Sequence, residues 1–420
     1  MAVSSLLDRY RQAVSKHKDV RMKQEAEPDI QYGTGFPSFD AINGCKIKYK
    51  LPNGQVGYRY SMGIVDGSLC MFIGRSGCGK TTFATQVACN IAAQFPTSCI
   101  YHDDIESGIT DVRRAVLSGW SDDMLKDKYR IRDTGITAEN FYESLSLIKD
   151  IKLANYDEYS YDTGCYDMNG NKIYKLEPTP YILDSVAMLM PEKYTEEEEL
   201  SGQMSATAAA KTNAMSFKRI IPMLKAANII LILINHINQN IQMGIFPNKS
   251  SLSYLKPDET LPGGRTIGYL TNLLVRFDDN SKLKEEEGLG IAGSIVDLQI
   301  VKSRTGRAGS TISLVFDFDK GFDPDLSLYL LLKNHKKING AGAYLYVGDN
   351  SDMKFSQKNL KQKLREDTAF AQAFMKEVVG VLQTMISDDA ETKSHSFNMS
   401  NSVMNAMNEA FADQNISLVA

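Results

Sequence analysis

The strongest constraint on what this chain can fold into is a run of eight residues, Gly74-Arg75-Ser76-Gly77-Cys78-Gly79-Lys80-Thr81. It satisfies the pattern GxxxxGK[ST], directly after the apolar run Leu69 to Ile73 and before a helical stretch that begins at Thr82. The glycines let successive backbone N–H groups turn inward around a phosphate, and the helix N-terminus that follows adds positive potential. Lys80 is then placed to reach the terminal phosphates of a nucleotide, and the Thr81 hydroxyl to ligate Mg2+. Gly74, Arg75, Ser76, Gly77, Cys78, Gly79, Lys80, Thr81 and Thr82 are therefore candidate nucleotide-binding residues. Such a loop needs a strand to deliver it and a helix to leave it, which points to an α/β fold.

The chain around the loop agrees. From Gly67 onward the short apolar runs LCMFIG, SCIYHDD, PYILDS, NIILILIN, LLVRF, VDLQIV and SLVFDF are separated by helical stretches. That texture predicts a largely parallel sheet with crossover helices, and the close spacing of the last runs predicts an antiparallel edge. Asp184 closes the run Tyr181-Ile182-Leu183, where a second carboxylate would hold Mg2+ through water. By itself an aspartate after an apolar run could equally be a helix cap; the phosphate loop favours the metal role.

Elsewhere the pattern is less regular. Leu6, Tyr10 and Val14 recur among basic residues, predicting an amphipathic helix that docks either on its own domain or on a neighbouring subunit. Asn53-Gly54 and Asn169-Gly170 each lie between β-prone runs and predict hairpins with primed turns. Met190 to Met204, with Glu196 to Glu199, and Gln239 to Gly264 lack periodicity, and long irregular loops inside a compact domain are usually functional. After Lys336 come a strand-like AYLYV, a helix-rich segment from Gln357 to Ser387, and a Ser-, Asn- and Met-rich tail.

Composition narrows the function classes. With 43% hydrophobic and 23% charged residues the chain reads as a folded soluble protein. Its net charge of −4 excludes a uniformly basic nucleic-acid coat but leaves room for a local groove. The longest aliphatic run, Ile229 to Ile234, is too short to span a bilayer, and the N-terminus lacks a secretory apolar block. Six cysteines without CxxC or zinc-ligand spacing read as reduced thiols of a cytoplasmic protein.

Several motifs together resemble one family. Asp184-Ser185-Val186-Ala187-Met188-Leu189 resembles the DSVAAL stretch of the RecA recombinases, and Tyr32 to Asp40 resembles their STG-x-x-x-LD segment. Asp104-Ile105-Glu106-Ser107-Gly108-Ile109-Thr110 is similar to the DSEFGIT of the UvsX-type bacteriophage recombinases, Val301 to Thr305 to their EKSRT, and Gly342 to Tyr346 to RecA's GAWYSY. The motifs keep the family's order from about residue 30 to 385.

The resemblance implies a RecA-like P-loop ATPase core over 28–335, an N-terminal oligomerisation helix at 1–27, a small C-terminal α/β appendage at 336–387 and a flexible tail at 388–420. It implies a DNA-dependent ATPase that uses ATP and Mg2+, forms filaments on single-stranded DNA, and promotes pairing and strand exchange with homologous duplex DNA. A single-strand-binding protein and a loading mediator are the further partners it implies. Residue by residue, Glu106 matches the carboxylate that polarises the attacking water, and His236, after Asn235, the group that senses the γ-phosphate. Lys302 and Arg304, read as alternate residues of one strand face, match cations that enter the neighbouring subunit's ATP site. Arg113 stands where the family often has an adenine-stacking tyrosine; a guanidinium plane can also stack on a base, with looser nucleotide choice.

The two irregular segments stand where the family has its DNA-binding loops. Candidate DNA contacts are Met204, Lys211, Lys218, Arg219, Ile245, Phe246, Lys249, Lys256, Gly263, Gly264 and Arg265. Two other readings remain open. Lys302-Ser303-Arg304-Thr305-Gly306 also fits the K-x-R-x-G finger of ring-forming replicative helicases, and the acidic total charge suits a DNA-independent ATPase scaffold.

Overall fold

The computed structural model describes residues 30–386 apart from 52, 167–169, 193–201, 240–251, 263–264, 285–290, 342–343 and 349–352. The expected N-terminal helix and the tail from residue 388 lie outside the described residues.

Nine strands make one sheet. In chain order they are β1 (Leu69–Gly74), β2 (Ile100–Asp104), β3 (Tyr129–Arg132), β4 (Thr179–Asp184), β5 (Ile229–His236), β6 (Leu273–Lys284), β7 (Ile291–Ser303), β8 (Thr311–Asp317) and β9 (Gly321–Asp323). Their spatial order is β9-β8-β7-β6-β1-β5-β4-β2-β3. β1 to β6 run parallel, and β7, β8 and β9 add on by antiparallel pairing. The mostly parallel sheet with an antiparallel edge is the expected fold. The short strand β3, Tyr-Arg-Ile-Arg, was not expected; it has only two apolar residues and gains its place by pairing with β2.

Both faces of the sheet are covered, which is why its central strands β1, β4 and β5 read as largely apolar runs. Leu69, Met71 and Ile73 of β1 face one side, Cys70 and Phe72 the other. On the second side lies helix α1 (Lys80–Ala92), whose Phe83 is fully buried among Phe36, Phe39, Phe72, Phe277 and Phe322, with ring centroids 4.9 to 5.6 Å from its own. On the first side lie α2 (Ala138–Ala154), through Phe141, Leu145 and Ile148, and α3 (Gly202–Ala227), through Phe217, Ile220 and Leu224. α2 starts at a reciprocal capping box between Thr137 and Asn140. α3 begins at Gly202, so Met204, expected in an irregular loop, belongs to a helix.

Both Asn-Gly hairpins form, the first not as a two-residue primed turn. Strands Cys45–Lys50 and Val56–Ser61 are joined by residues 51–55, and there Gly54 (φ 78) takes the left-handed conformation while Asn53 does not. Strands Ser160–Tyr166 and Lys172–Leu176 form the second hairpin, whose Asn169 lies outside the described residues. A pairing of Lys50 with Tyr166 joins the two hairpins into one four-stranded sheet. At the other end of the chain, α4 (Pro324–Asn334) shares a separate apolar cluster with α5 (Thr368–Met385), built on Leu328, Leu332, Phe355, Phe370 and Phe374.

Candidate active site

The carboxyl ends of four neighbouring parallel strands set the site. Register places Gly74 beside His236, and Asp184 beside Ile234 on one side and Asp104 on the other. Loops leaving these ends therefore share one crevice, the usual ligand position in an open α/β sheet.

β1 ends at Gly74 and α1 begins at Lys80, with Gly77 (φ 79) and Gly79 (φ 86) in conformations that a side chain resists. A Cβ at Gly74 would stand 2.6 Å from the Phe277 carbonyl oxygen, so the loop also packs too closely for anything larger there. The buried Lys80 ammonium donates to the Gly74 and Arg75 carbonyls at 3.0 and 2.7 Å, inside the turn of the loop. Cys78 is buried with its thiol on the Arg75 carbonyl, and burial pushes its pKa up, so it is a poor nucleophile. Ser76 is exposed, and Thr82 is half-buried at the start of α1.

Thr81 donates its hydroxyl to Asp184 Oδ2 at 2.5 Å. Asp184 Oδ1 is buried with no hydrogen-bond partner. Burial first, then the Glu106 and Asp104 carboxylates, push the Asp184 carboxyl up to about 6, against the Thr81 hydrogen bond. A hydroxyl beside an orphaned, crowded carboxylate oxygen suits a hard divalent cation, which needs oxygen ligands and would neutralise the crowding. Thr81 and Asp184 thus fit Mg2+ and would hold it, and when bound it would supply positive charge against that of the phosphates.

Glu106 stands next to this pair. Its Oε1 accepts from Ser185 Oγ at 2.6 Å and lies 2.9 Å from His236 Nε2. Glu106, Asp184 and His236 each place one ligand-type atom within 4.8 Å of the others. The neighbouring aspartates are engaged elsewhere. Asp103 accepts from Arg132 and from the Tyr181 hydroxyl, while Asp104 accepts the Gly108 and Ile109 N–H groups and closes the turn that presents Glu106. Ser185 belongs to the DSVAAL-like stretch, but nothing in the sequence signals that its hydroxyl serves Glu106. Asn235, fully buried, accepts the His236 N–H and donates to the Pro262 carbonyl at 2.8 Å, tying the end of β5 to the far stem of the loop that follows it.

Lys302 and Arg304 are not part of this crevice. β7 runs antiparallel, pairing Ser303 with Leu273, and Leu273 pairs with Cys70, so β7 ends where β1 starts. Lys302 donates to the Tyr269 and Gly268 carbonyls at 2.7 and 3.3 Å, at the C-terminal end of helix Arg265–Leu270. The strand stops at Ser303, so the expected two-residue alternation does not orient Arg304, which is exposed beyond the strand end. The Arg113 guanidinium donates to the Asp319 carbonyl in the turn between β8 and β9, which anchors it beside α1's aromatic seat.

Of the candidate DNA contacts, Lys218 and Arg219 are exposed on α3 and Lys256 is exposed near the short pairing of Asn238–Gln239 with Glu259–Thr260. Ile245, Phe246, Lys249, Gly263 and Gly264 lie outside the described residues, as do the side chains of Met204, Lys211 and Arg265. The loop stem is tied to the phosphate loop: the buried Glu259 carboxylate accepts two Arg276 hydrogen bonds and lies 3.6 Å from Arg75.

No protein-family model matches the chain. Among curated proteins it is similar to Protein RecA of Thermotoga neapolitana, 23% identical over 209 residues, which are 48% of this chain. The match spans 56% of that protein's length. With the nine-stranded, mostly parallel sheet and the motif order, it supports a relationship to the RecA family.

Proposed function

We propose that this chain is an ATP-hydrolysing DNA recombinase of the UvsX type, which assembles on single-stranded DNA as a filament and promotes strand exchange with a homologous duplex. The observation that carries the reading is the linkage of Lys80, Thr81 and Asp184, through Glu106 and His236, to Asn235 and the stem of the 237–264 loop. In this mechanism the loop glycines and Lys80 bind the phosphates, and Thr81 and Asp184 hold Mg2+. Glu106 orients the attacking water, with its carboxylate set by Ser185 and His236. A change in the hydrogen bond between Glu106 and His236 on nucleotide binding would move the end of β5, and with it a loop that contacts DNA.

Lys302 and Arg304 lie at the opposite pole of the sheet, so on this reading they act on the nucleotide of an adjacent copy. Electron microscopy with ATP and single-stranded DNA tests the assembly. Open helical filaments are expected; closed rings would favour the helicase reading, and assembly indifferent to DNA the scaffold reading. A strand-exchange assay with Lys80→Ala tests the chemistry, and activity at the wild-type level would overturn it.

A further inference from the structure

The four-stranded sheet made by the two hairpins has no part in the chemistry above. It sits at the pole opposite the phosphate loop, because Ser61 leads by a short connection into the start of β1 and Leu176 into the start of β4. β1 is six residues long, so the two poles are about 20 Å apart.

One face of this sheet has an unusual make-up. Lys46 pairs with Tyr60, Lys48 with Tyr58 and Lys50 with Val56, and directly opposed residues share a face. Val56, Tyr58, Tyr60 and Met62 follow one another at every second position and are 44%, 42%, 43% and 37% exposed. The Lys46 ammonium lies 5.5 Å from the Tyr58 ring centroid. Lys50 pairs onward with Tyr166, and Tyr166 with Lys172, which extends the same face across all four strands. The other face is the buried one, with Thr163 and Cys165 inside and Lys175 paired to Asp66 at 2.6 Å.

Charge separates this face from an ordinary exposed sheet. By register this face carries Lys46, Lys48 and Lys50, and residues 45–61 contain no Asp or Glu, in a chain whose net charge is −4. Charged residues are depleted from the cores of protein–protein contacts, whereas rows of cations alternating with aromatic rings suit a strand of phosphates and bases. Asp162, across from the face's last strand, is paired with Lys172 at 2.7 Å.

We infer that this face is a second binding surface for a single-stranded polynucleotide, with bases stacking on Tyr58 and Tyr60 and phosphates seated on the cations of this face, Lys46 and Lys172 among them. Two rings at alternate positions of one strand are about 7 Å apart, enough for two unstacked neighbouring bases to take one ring each. Every base has a π-face and every nucleotide a phosphate, so binding here is sequence-tolerant and independent of ATP. The surface lies at the opposite end of the sheet from the loops assigned to DNA in the proposed function, and it stands without that reading.

The test is fluorescence anisotropy of a labelled oligothymidylate of about 30 nucleotides, long enough for several contacts, with the full chain and no nucleotide. Tyr58→Ala/Tyr60→Ala is expected to weaken binding by about tenfold or more, and Tyr58→Phe/Tyr60→Phe to retain it, because stacking needs the ring and not the hydroxyl. Lys46→Gln/Lys48→Gln/Lys50→Gln should lower the slope of log affinity against log salt by about two, since each phosphate neutralised on a single strand contributes about 0.7. Circular dichroism and basal ATP turnover check that the variants fold. Unchanged affinity in both the alanine and glutamine variants overturns the inference. So does altered self-association in sedimentation velocity with oligonucleotide affinity intact, which would make the face a contact between copies. Loss of DNA-stimulated turnover belongs to the other pole and is read in a separate assay, so the two proposals fail separately.

Discussion

At the scale of single residues, the acidic cluster after β2 shows how neighbours divide roles among identical chemistry. Asp103 is neutralised by Arg132, Asp104 is used up by backbone N–H groups, and Glu106 keeps a carboxylate directed to Ser185 and His236. Glu106→Gln keeps the shape and removes the basicity. Its steady-state ATP turnover is expected to fall about 100-fold or more, while binding of a fluorescent nucleotide analogue stays close to wild type. A fall in affinity matching the fall in turnover would assign Glu106 to nucleotide binding instead. Asp40 offers a test of stability. It is buried and accepts the Thr34 N–H and hydroxyl, yet burial outweighs those bonds and pushes its carboxyl from 3.8 up to about 7. The folded chain therefore holds this proton where the unfolded chain has released it. Stability from this group is fully present below about pH 4 and declines as pH rises to about 7. Asp40→Asn should flatten that part of a plot of thermal midpoint against pH, and an unaltered slope would show that other groups set it.

At the scale of elements, α1 has two jobs: its N-terminus presents the phosphate loop and its body anchors the loop to the sheet. Phe83 carries the second job as the centre of five ring contacts. Phe83→Ala leaves a cavity under the loop, and urea denaturation should show a loss of about 3–5 kcal/mol. A loss below about 1 kcal/mol, the range of a well-tolerated core change, would mean that the aromatic cluster collapses to fill the space. The same aromatic seat reaches Gly79, where an added Cβ would stand 2.9 Å from the Phe322 ring. A glycine that a phosphate-binding motif calls for is thus required a second time by packing.

At the scale of the whole molecule, the two poles of the central sheet separate the crevice at the phosphate-loop motif from Lys302 and Arg304. If those cations serve an adjacent copy, two inactive variants should rescue each other. Lys80→Ala chains lack a working loop but carry Arg304; Arg304→Ala chains lack the cation but carry the loop. Mixing equal amounts is expected to restore part of the DNA-stimulated ATP turnover that neither shows alone. No recovery, or an Arg304→Ala chain that already turns over ATP normally, would sink the shared-site proposal. Among the described residues no helix is long and apolar enough to cross a membrane.

The sequence by itself determined the local chemistry and the fold class. A phosphate loop is a contiguous motif, and strands buried on both faces are largely apolar, so β1, β4 and β5 were readable from their composition. What depended on contacts between distant segments was decided only by tertiary structure. β3 carries too few apolar residues to be read alone and exists through its pairing with β2. The roles of Asp103 and Glu106 were set by Arg132, Tyr181, Ser185 and His236, none of which is adjacent in sequence, whereas Asp104 is held by the nearby Gly108 and Ile109 N–H groups. The close spacing of the last runs pointed to an antiparallel edge, but the pole at which Lys302 and Arg304 lie follows from the register of β7 against β6. Two hairpins far apart in sequence became one sheet through the pairing of Lys50 with Tyr166. Side-chain alternation is a local property, whereas which strand lies beside it is settled by the packing of the whole chain.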